Sequence, residues 1–438
     1  MDARSEIPER TLEKVHPELV ERTEVARQQD FMVDARAAVQ GVRLALSAAF
    51  GSLGADPTQA RPLARHLGLD KGLAWKVSRI VIDDDPIAAI PLLPARAGQR
   101  ALLDSLKRAD VPLRIVENVR ESLAEFESMV ATHAGDRETF VMMLSELTDH
   151  GRAERDEGHR KLAFLGNSAT LGVQARVRLT THVITPGDDA NFVDVATVSG
   201  LVDFRRLRSN EPWTMASFGL ANNDGSSVTT RTLIPLDPRV PESGAAPLLL
   251  DYCSQNLPKM QENPGPAGTM LLQALDGPVG NTGLFTCLTG IRAIGMLPRW
   301  WQAPNPQDSE FIVMLATPAE TLLFDLFVHE SLAPALNPSI ISYGALPGDS
   351  LLLSGEPKRR MLPLAEKIIH LGAKPPDLTA FEMPVYPEMM EWVFRRTGHD
   401  ASEFHGFRFR QRYPWIPSKI AYRYYLPEKQ RPGTDKTS

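Results

Sequence analysis

Five cations crowd one short stretch of the chain. Between Pro57 and Ile82 stand Arg61, Arg65, Lys71, Lys76 and Arg79 against Asp70 alone, a local net charge of +4. Guanidinium and ammonium groups at that density neutralise phosphates, and the counterions they release give an affinity that falls steeply with salt. The chain as a whole, 438 residues with a net charge of −6, is no general polyanion binder, so chemistry of this kind is local. Residues 1–150 hold 19 basic against 24 acidic side chains, which makes the patch a basic island in an acidic half.

Other residue types that do chemistry are present without the spacing it needs. The ten histidines are scattered: His150 and His159 lie near the charged run that separates the halves, and His399 and His405 lie six apart. None sits in an HExxH helix or a Cys/His cluster, so the sequence points to no metal. Neither Ser168, in Gly166-Asn-Ser-Ala-Thr-Leu-Gly172, nor Ser350, near Gly348, forms a nucleophile elbow. Gly277-Pro-Val-Gly-Asn-Thr-Gly283 lacks the Gly-Lys-Ser/Thr ending of a phosphate loop and reads as a plain loop. No catalytic residue and no cofactor is assigned, which weighs against an enzyme. Cys253 and Cys287 are the only cysteines, too few to staple a chain of this size, so a reducing cytoplasm fits and unpaired thiols are the simpler reading.

To present the five cations, two short helices must cross. A helix-turn-helix needs a small residue where the helices touch and a turn residue that tolerates positive φ. In PTQARPLARHLGLDKGLAWKVSRIVI, residues 57–82, Ala64 is the small contact and Gly68 the turn, with Leu63, Leu67, Leu69, Ala74 and Val77 buried. Asp70 suits the N-cap of the second helix, which would expose Lys71, Trp75, Lys76, Ser78 and Arg79.

This run resembles the helix-turn-helix and winged-helix transcriptional regulators. Their motif reads like Leu-Gly-Leu-Ser-Lys-Ser-Thr-Val-His-Arg-Leu, and the counterpart here is Leu67-Gly-Leu-Asp-Lys-Gly-Leu-Ala-Trp-Lys-Val77. The resemblance covers residues 57–82 only. It implies that the helix from Asp70 to Ile82 lies in the major groove of double-stranded DNA, with Lys71, Lys76 and Arg79 as phosphate or base contacts. With Arg61, Arg65, Trp75 and Ser78, these form the expected DNA-binding set.

Around the motif, residues 31–150 read as nearly all helix. Ala35, Val39, Val42, Leu46 and Ala49 recur at helical steps; Leu102, Leu103 and Leu106 mark a second helix; Phe140, Met143 and Leu147 continue the period. From Pro112 to Thr132 the stripe Ile115, Val119, Leu123, Phe126 and Val130 reads as packing within the helical domain, or as a homodimer contact, since such readers usually bind paired half-sites. Residues 1–30 are polar and strongly acidic, with no apolar core of a secretory signal.

The charged run His150–His159 separates the halves as a linker or the solvated end of a helix. Beyond it, Arg176–Ile184, Phe192–Phe204, Val228–Ile234 after the turn Asn222-Asn-Asp-Gly225, Leu351–Leu353, Phe407–Tyr413 and Ile420–Tyr425 read as strands. Phe311–Leu315 and Leu322–Val328 flank Thr317-Pro-Ala-Glu320 and read as a hairpin. Helices are expected near Pro247–Asn256, Leu362–His370 and Pro387–Arg396. Phe407, Phe409, Gln411 and Tyr413 alternate with Arg408, Arg410 and Arg412, which suggests a hairpin with an apolar core side and a solvated arginine side. A platform for single-stranded nucleic acid is the alternative for that run.

The expected fold class is therefore α+β: an N-terminal all-helical helix-turn-helix domain over 31–150, then a larger mixed, strand-rich domain over 151–438. No stretch approaches a membrane span. A head that only binds DNA needs fewer residues than this chain has, so the larger domain is expected to sense a small-molecule effector or to oligomerise. Trp213, Trp300, Trp301 and Tyr343 are pocket candidates on aromatic content alone. The reading is a cytoplasmic DNA-binding regulator acting as a homodimer. The competing classes are an enzyme of unrecognised type and an interaction protein that uses the helical head for protein contact.

Overall fold

The apolar positions from Phe31 to Phe50 lie along one side of a single helix, α1 (Pro17–Ser52), and Ala35, Val39, Val42, Leu46 and Ala49 are all fully buried. In this computed structural model the described residues are 17–147, 152–209, 212–218, 232–242, 245–265, 269–300, 308–332, 337–345 and 361–425. The chain divides into two compact units, Met1–Arg152 and Ala153–Ser438, and the fold is α+β, with helices concentrated in the first and strands in the second. Helix α1 begins inside the polar stretch 1–30.

The first unit holds only helices among its described residues: α1, α2 (Ala60–Leu67), α3 (Lys71–Ile82), α4 (Arg96–Arg108), α5 (Leu113–His133) and α6 (Arg137–Leu147). Its core draws Leu63, Leu67, Val77 and Ile80 from α2 and α3 onto Leu46, Leu102, Leu106 and the α5 stripe. On α5 the buried stripe starts at Val116, with Ile115 only partly covered. No β-wing follows α3; instead Ile87, Ala89, Ile90 and Leu93 turn under the core.

Helix α7 (Arg152–Leu171) begins at the boundary and belongs from Ala153 on to the second unit, so much of the charged run His150–His159 is helix. Two long strands follow, β1 (Val173–Pro186) and β2 (Phe192–Arg206), then β3 (Trp213–Phe218), β4 (Leu233–Pro235), β5 (Met260–Pro264), β6 (Met270–Ala274), β7 (Phe285–Pro298), β8 (Asp308–Leu315), β9 (Ala319–His329), β10 (Ser339–Gly344), β11 (Met361–Leu362) and β12 (Ile369–Ala373). The chain ends its described part with helix α8 (Tyr386–Thr397) and strands β13 (Phe404–Arg412) and β14 (Ser418–Tyr425). A seven-stranded sheet runs β12-β13-β9-β1-β2-β7-β4, a four-stranded sheet β11-β10-β14-β8, and a three-stranded sheet β3-β6-β5. Within the large sheet β1 and β9 are parallel and the other pairs antiparallel.

Alternation along β9 decides how the layers stack. Leu323 and Phe327 face a core built with α8, while Leu322, Phe324, Leu326 and Val328 face the four-stranded sheet through Phe311, Val313, Ile420 and Tyr422. This arrangement overturns two expected hairpins. β8 pairs with β14 and β9 with β1 and β13, so Thr317–Glu320 carries the chain between sheets. The Pro318 carbonyl accepts from the Ala175 amide at 2.9 Å and the Thr317 hydroxyl from the Trp213 indole at 3.0 Å, which pins the crossing. Likewise β13 and β14 belong to different sheets.

Two expected helices are also absent. Leu362–His370 is irregular between β11 and β12, and Leu364 and Ile368 pack against the inter-sheet core. Pro247–Asn256 holds only the 3₁₀ turn Leu250–Tyr252. Trp213, Trp300 and Tyr343 do not meet: Trp213 and Tyr343 sit in different sheets, and the Trp300 indole donates to the Ala190 carbonyl at 3.3 Å. Trp301, Leu351–Leu353, Asn222–Gly225 and most of Val228–Ile234 lie outside the described residues.

Candidate nucleic-acid interface

The turn that orients α3 is built from backbone. Helix α2 ends at Gly68, whose φ of 61° is left-handed and whose amide donates to the Ala64 carbonyl. The Leu69 amide reaches the same carbonyl at 3.0 Å, and the Ser105 hydroxyl from α4 takes the Leu67 carbonyl. Together these satisfy acceptors that a helix end would otherwise leave open. Pro62 falls in the first turn of α2, where its missing N–H has no intrahelical role.

Three residues after Leu67 the chain starts again as a helix. Asp70 caps α3, accepting from the Gly72 amide at 2.8 Å and the Leu73 amide at 3.0 Å. At the other end Arg43 on α1 donates to the Val81 carbonyl at 3.2 Å and also to the Asp83 carbonyl. A cation there suits the negative end of the helix dipole.

Rotation of about 100° per residue sorts the α3 side chains into two arcs. Leu73, Ala74, Val77, Ser78 and Ile80 are buried, while Lys71, Gly72, Trp75, Lys76 and Arg79 are exposed on the remaining arc of roughly 140°. Trp75 keeps half of its surface in solvent, and Arg79 reaches Asp83 at 3.1 Å while remaining 44 % exposed. Arg61 and Arg65 on α2 are also exposed.

Ser78 departs from the expected set. It sits on the border of the buried arc next to Ala74, is 2 % exposed, and its hydroxyl donates to the Pro57 carbonyl. It ties the loop before α2 to α3 and cannot reach a ligand in that position. The triple Asp83-Asp-Asp85 is partly occupied: Asp83 holds Arg79, and Asp85 accepts from the Ile87 amide at 3.0 Å.

Two further places in the second unit bear on ligand chemistry. A cavity of about 570 Å³ is lined by Val240, Pro241, Ala246, Leu248 and Met260, with Arg239 and Glu262 as its charged groups. Asp237 and Asp251 fix the Arg239 guanidinium at 2.7 and 2.9 Å, and the Ala246 amide fixes Glu262 at 2.6 Å. Of the aromatic pocket candidates among the described residues, Trp213, Trp300 and Tyr343, none lines it. Second, His329, His399 and Glu403 come together although His329 is 70 positions before His399. No local spacing in the sequence could reveal that meeting. Cys253 and Cys287 are free thiols, with Cys287 buried.

No family profile matches this sequence, and a search of curated proteins and of solved structures likewise finds no match.

Proposed function

We propose that this chain is a DNA-binding transcriptional regulator whose first unit reads double-stranded DNA through α3. The observation that carries the reading is the exposed arc of Lys71, Trp75, Lys76 and Arg79 on a helix capped at both ends, with Arg61 and Arg65 exposed on the preceding helix. The buried arc of the same helix is anchored in the core, so the reading surface is held on a rigid support. In this reading Arg61, Arg65, Lys71, Lys76 and Arg79 would contact phosphates, and those of them on α3 that reach the floor of the major groove would also contact base edges.

In this reading the second unit senses a small effector in the cavity beside Arg239 and Glu262, and the protein works in the cytoplasm as a homodimer. The volume falls in the usual range for small-molecule sites, and its mostly apolar lining with two fixed charges suits an amphipathic metabolite. Half-exposed Trp75 favours one alternative, an interaction module that grips a protein rather than a duplex.

A filter-binding titration on genomic fragments at two salt concentrations separates the two readings. Wild type is expected to lose affinity with salt, and Lys76→Ala/Arg79→Ala to lower the slope of log K against log salt by about 0.9 for each lost phosphate contact. Equal, salt-insensitive retention of both proteins would sink the DNA-reading proposal.

A further inference from the structure

We propose that His329, His399 and Glu403 form a divalent transition-metal site, with Zn²⁺ as the fitting ion. One carboxylate oxygen, Glu403 Oε2, faces both rings, 3.1 Å from His329 Nε2 and 3.2 Å from His399 Nδ1. All three donor atoms lie within 4.8 Å of one another. A tetrahedral ion with bonds of about 2.0–2.1 Å has donor–donor edges of roughly 3.3 Å, so two of the three edges are already close to that length.

Each donor is oriented from behind. Register pairing sets His329, the last residue of β9, opposite Phe404, the residue after Glu403. The Ser331 amide donates to His329 Nδ1 at 3.2 Å and the Ser331 hydroxyl lies 2.9 Å from the same nitrogen. With Nδ1 accepting, Nε2 carries the ring proton and points it at Glu403. On the carboxylate, Oε1 accepts the Asp400 amide at 2.7 Å in a capping box, which leaves Oε2 for the rings. His399 follows the left-handed Gly398 at the end of α8, and its ring packs on His329 at a centroid distance of 4.6 Å.

Loading the ion needs a tautomer change in each ring and a small local adjustment at Ser331. His329 moves its proton from Nε2 to Nδ1, where the Ser331 hydroxyl oxygen accepts it and the Ser331 amide gives up its bond to that nitrogen, and His399 moves its proton from Nδ1 to Nε2. Support of this kind behind a ligating imidazole is what metal sites require. Two imidazoles and one carboxylate suit Zn²⁺ and its first-row neighbours over Mg²⁺ or Ca²⁺. Glu403 is 37 % and His399 22 % exposed at the side chain, so the fourth coordination position is open to solvent. Nearby Glu330 is occupied by Lys374 and stays outside the donor set.

The test uses the full chain, stripped with chelator and titrated with Zn²⁺ against a chromophoric competitor, then with Co²⁺. Wild type is expected to take up one ion per chain, with the visible Co²⁺ bands of a four- or five-coordinate site. His329→Ala, His399→Gln and Glu403→Gln should each weaken Zn²⁺ binding beyond the roughly 10- to 100-fold cost of losing an outer-shell partner. His405→Ala should leave binding unchanged. Absence of stoichiometric uptake by wild type, or uptake unaltered in His399→Gln, overturns the site. His399→Gln leaves the Asp400 capping box intact, so it decides the matter even if the Glu403 variant is unfolded.

Discussion

Asp325 on β9 and Arg408 on β13 stand directly opposite each other in register, and their side chains make a two-point ion pair inside the second unit. Arg408 Nε meets Oδ1 at 2.9 Å and Nη2 meets Oδ2 at 2.7 Å, while the Tyr386 hydroxyl donates to Oδ2 at 2.6 Å and lies 2.9 Å from the Thr181 hydroxyl. Burial pushes the Asp325 carboxyl above its ordinary value, and the arginine and tyrosine oppose that push. The cluster fastens the large sheet to helix α8.

Removing one member leaves the other charge buried without its ionic partner. Arg408→Ala should therefore cost about 3–5 kcal/mol in urea unfolding of the second unit, whereas Asp325→Leu/Arg408→Met should recover most of that loss. A single variant within about 1 kcal/mol of wild type would show the pair to be far more solvated than its burial implies.

Gly68 is the residue on which the angle between α2 and α3 depends. Its left-handed φ of 61° disfavours any residue with a Cβ, although the nearest atom to an added Cβ is the end of the flexible Arg108 side chain at 3.6 Å. Gly68→Ala should destabilise the first unit by about 1 kcal/mol through backbone strain alone. Thermal unfolding measures it, and Gly68→Asn should lose less, since Asn tolerates that conformation.

Ser78 and Lys76 are two residues apart and should behave oppositely. Ser78→Ala leaves the Pro57 carbonyl without its hydroxyl donor, so it should lower stability by roughly 1 kcal/mol with nucleic-acid affinity unchanged. Lys76→Ala should leave the melting temperature alone and weaken binding at low salt. A Ser78 variant that loses affinity at full stability would return that residue to the contact surface.

His182 makes stability depend on pH. Its ring lies against Phe311 and Phe324 with Nδ1 3.0 Å from the Thr197 hydroxyl, and burial pulls its pKa down to about 3 from an ordinary 6.5. Between those values the unfolded chain binds a proton that the folded chain refuses. Stability from this group is thus complete above about pH 6.5 and declines as pH falls toward 3. The slope is about 1.4 kcal/mol per pH unit. The difference in unfolding free energy between wild type and His182→Leu should shrink accordingly on acidification. Parallel pH curves would show that the ring is hydrated in the folded protein.

Local chemistry made much of this protein legible. Period-3.6 spacing along α1 and α5, Gly68 and Asp70 around the turn, and β-branched runs at β1 and β2 each act through the residues next to them, so order along the chain suffices to read them. The cationic arc of α3 was legible for the same reason, except at Ser78. Whether a residue on the border of a helix face is covered depends on what packs beside it, here the Pro57 loop.

Partner choice was not legible. The Phe311–Leu315 and Leu322–Val328 runs look like neighbours in a hairpin, yet each pairs with a strand about a hundred or more positions away, because the alternating faces of β9 require a second sheet to cover them. The same long-range pairing brings His329 to Glu403 and Asp325 to Arg408. Side-chain type and spacing determined the helical head, its basic surface and the strand-rich remainder. Which distant strands lie side by side, and hence which His, Glu, Asp and Arg side chains meet, was decided only when burial of two apolar faces fixed the register between segments far apart in the chain.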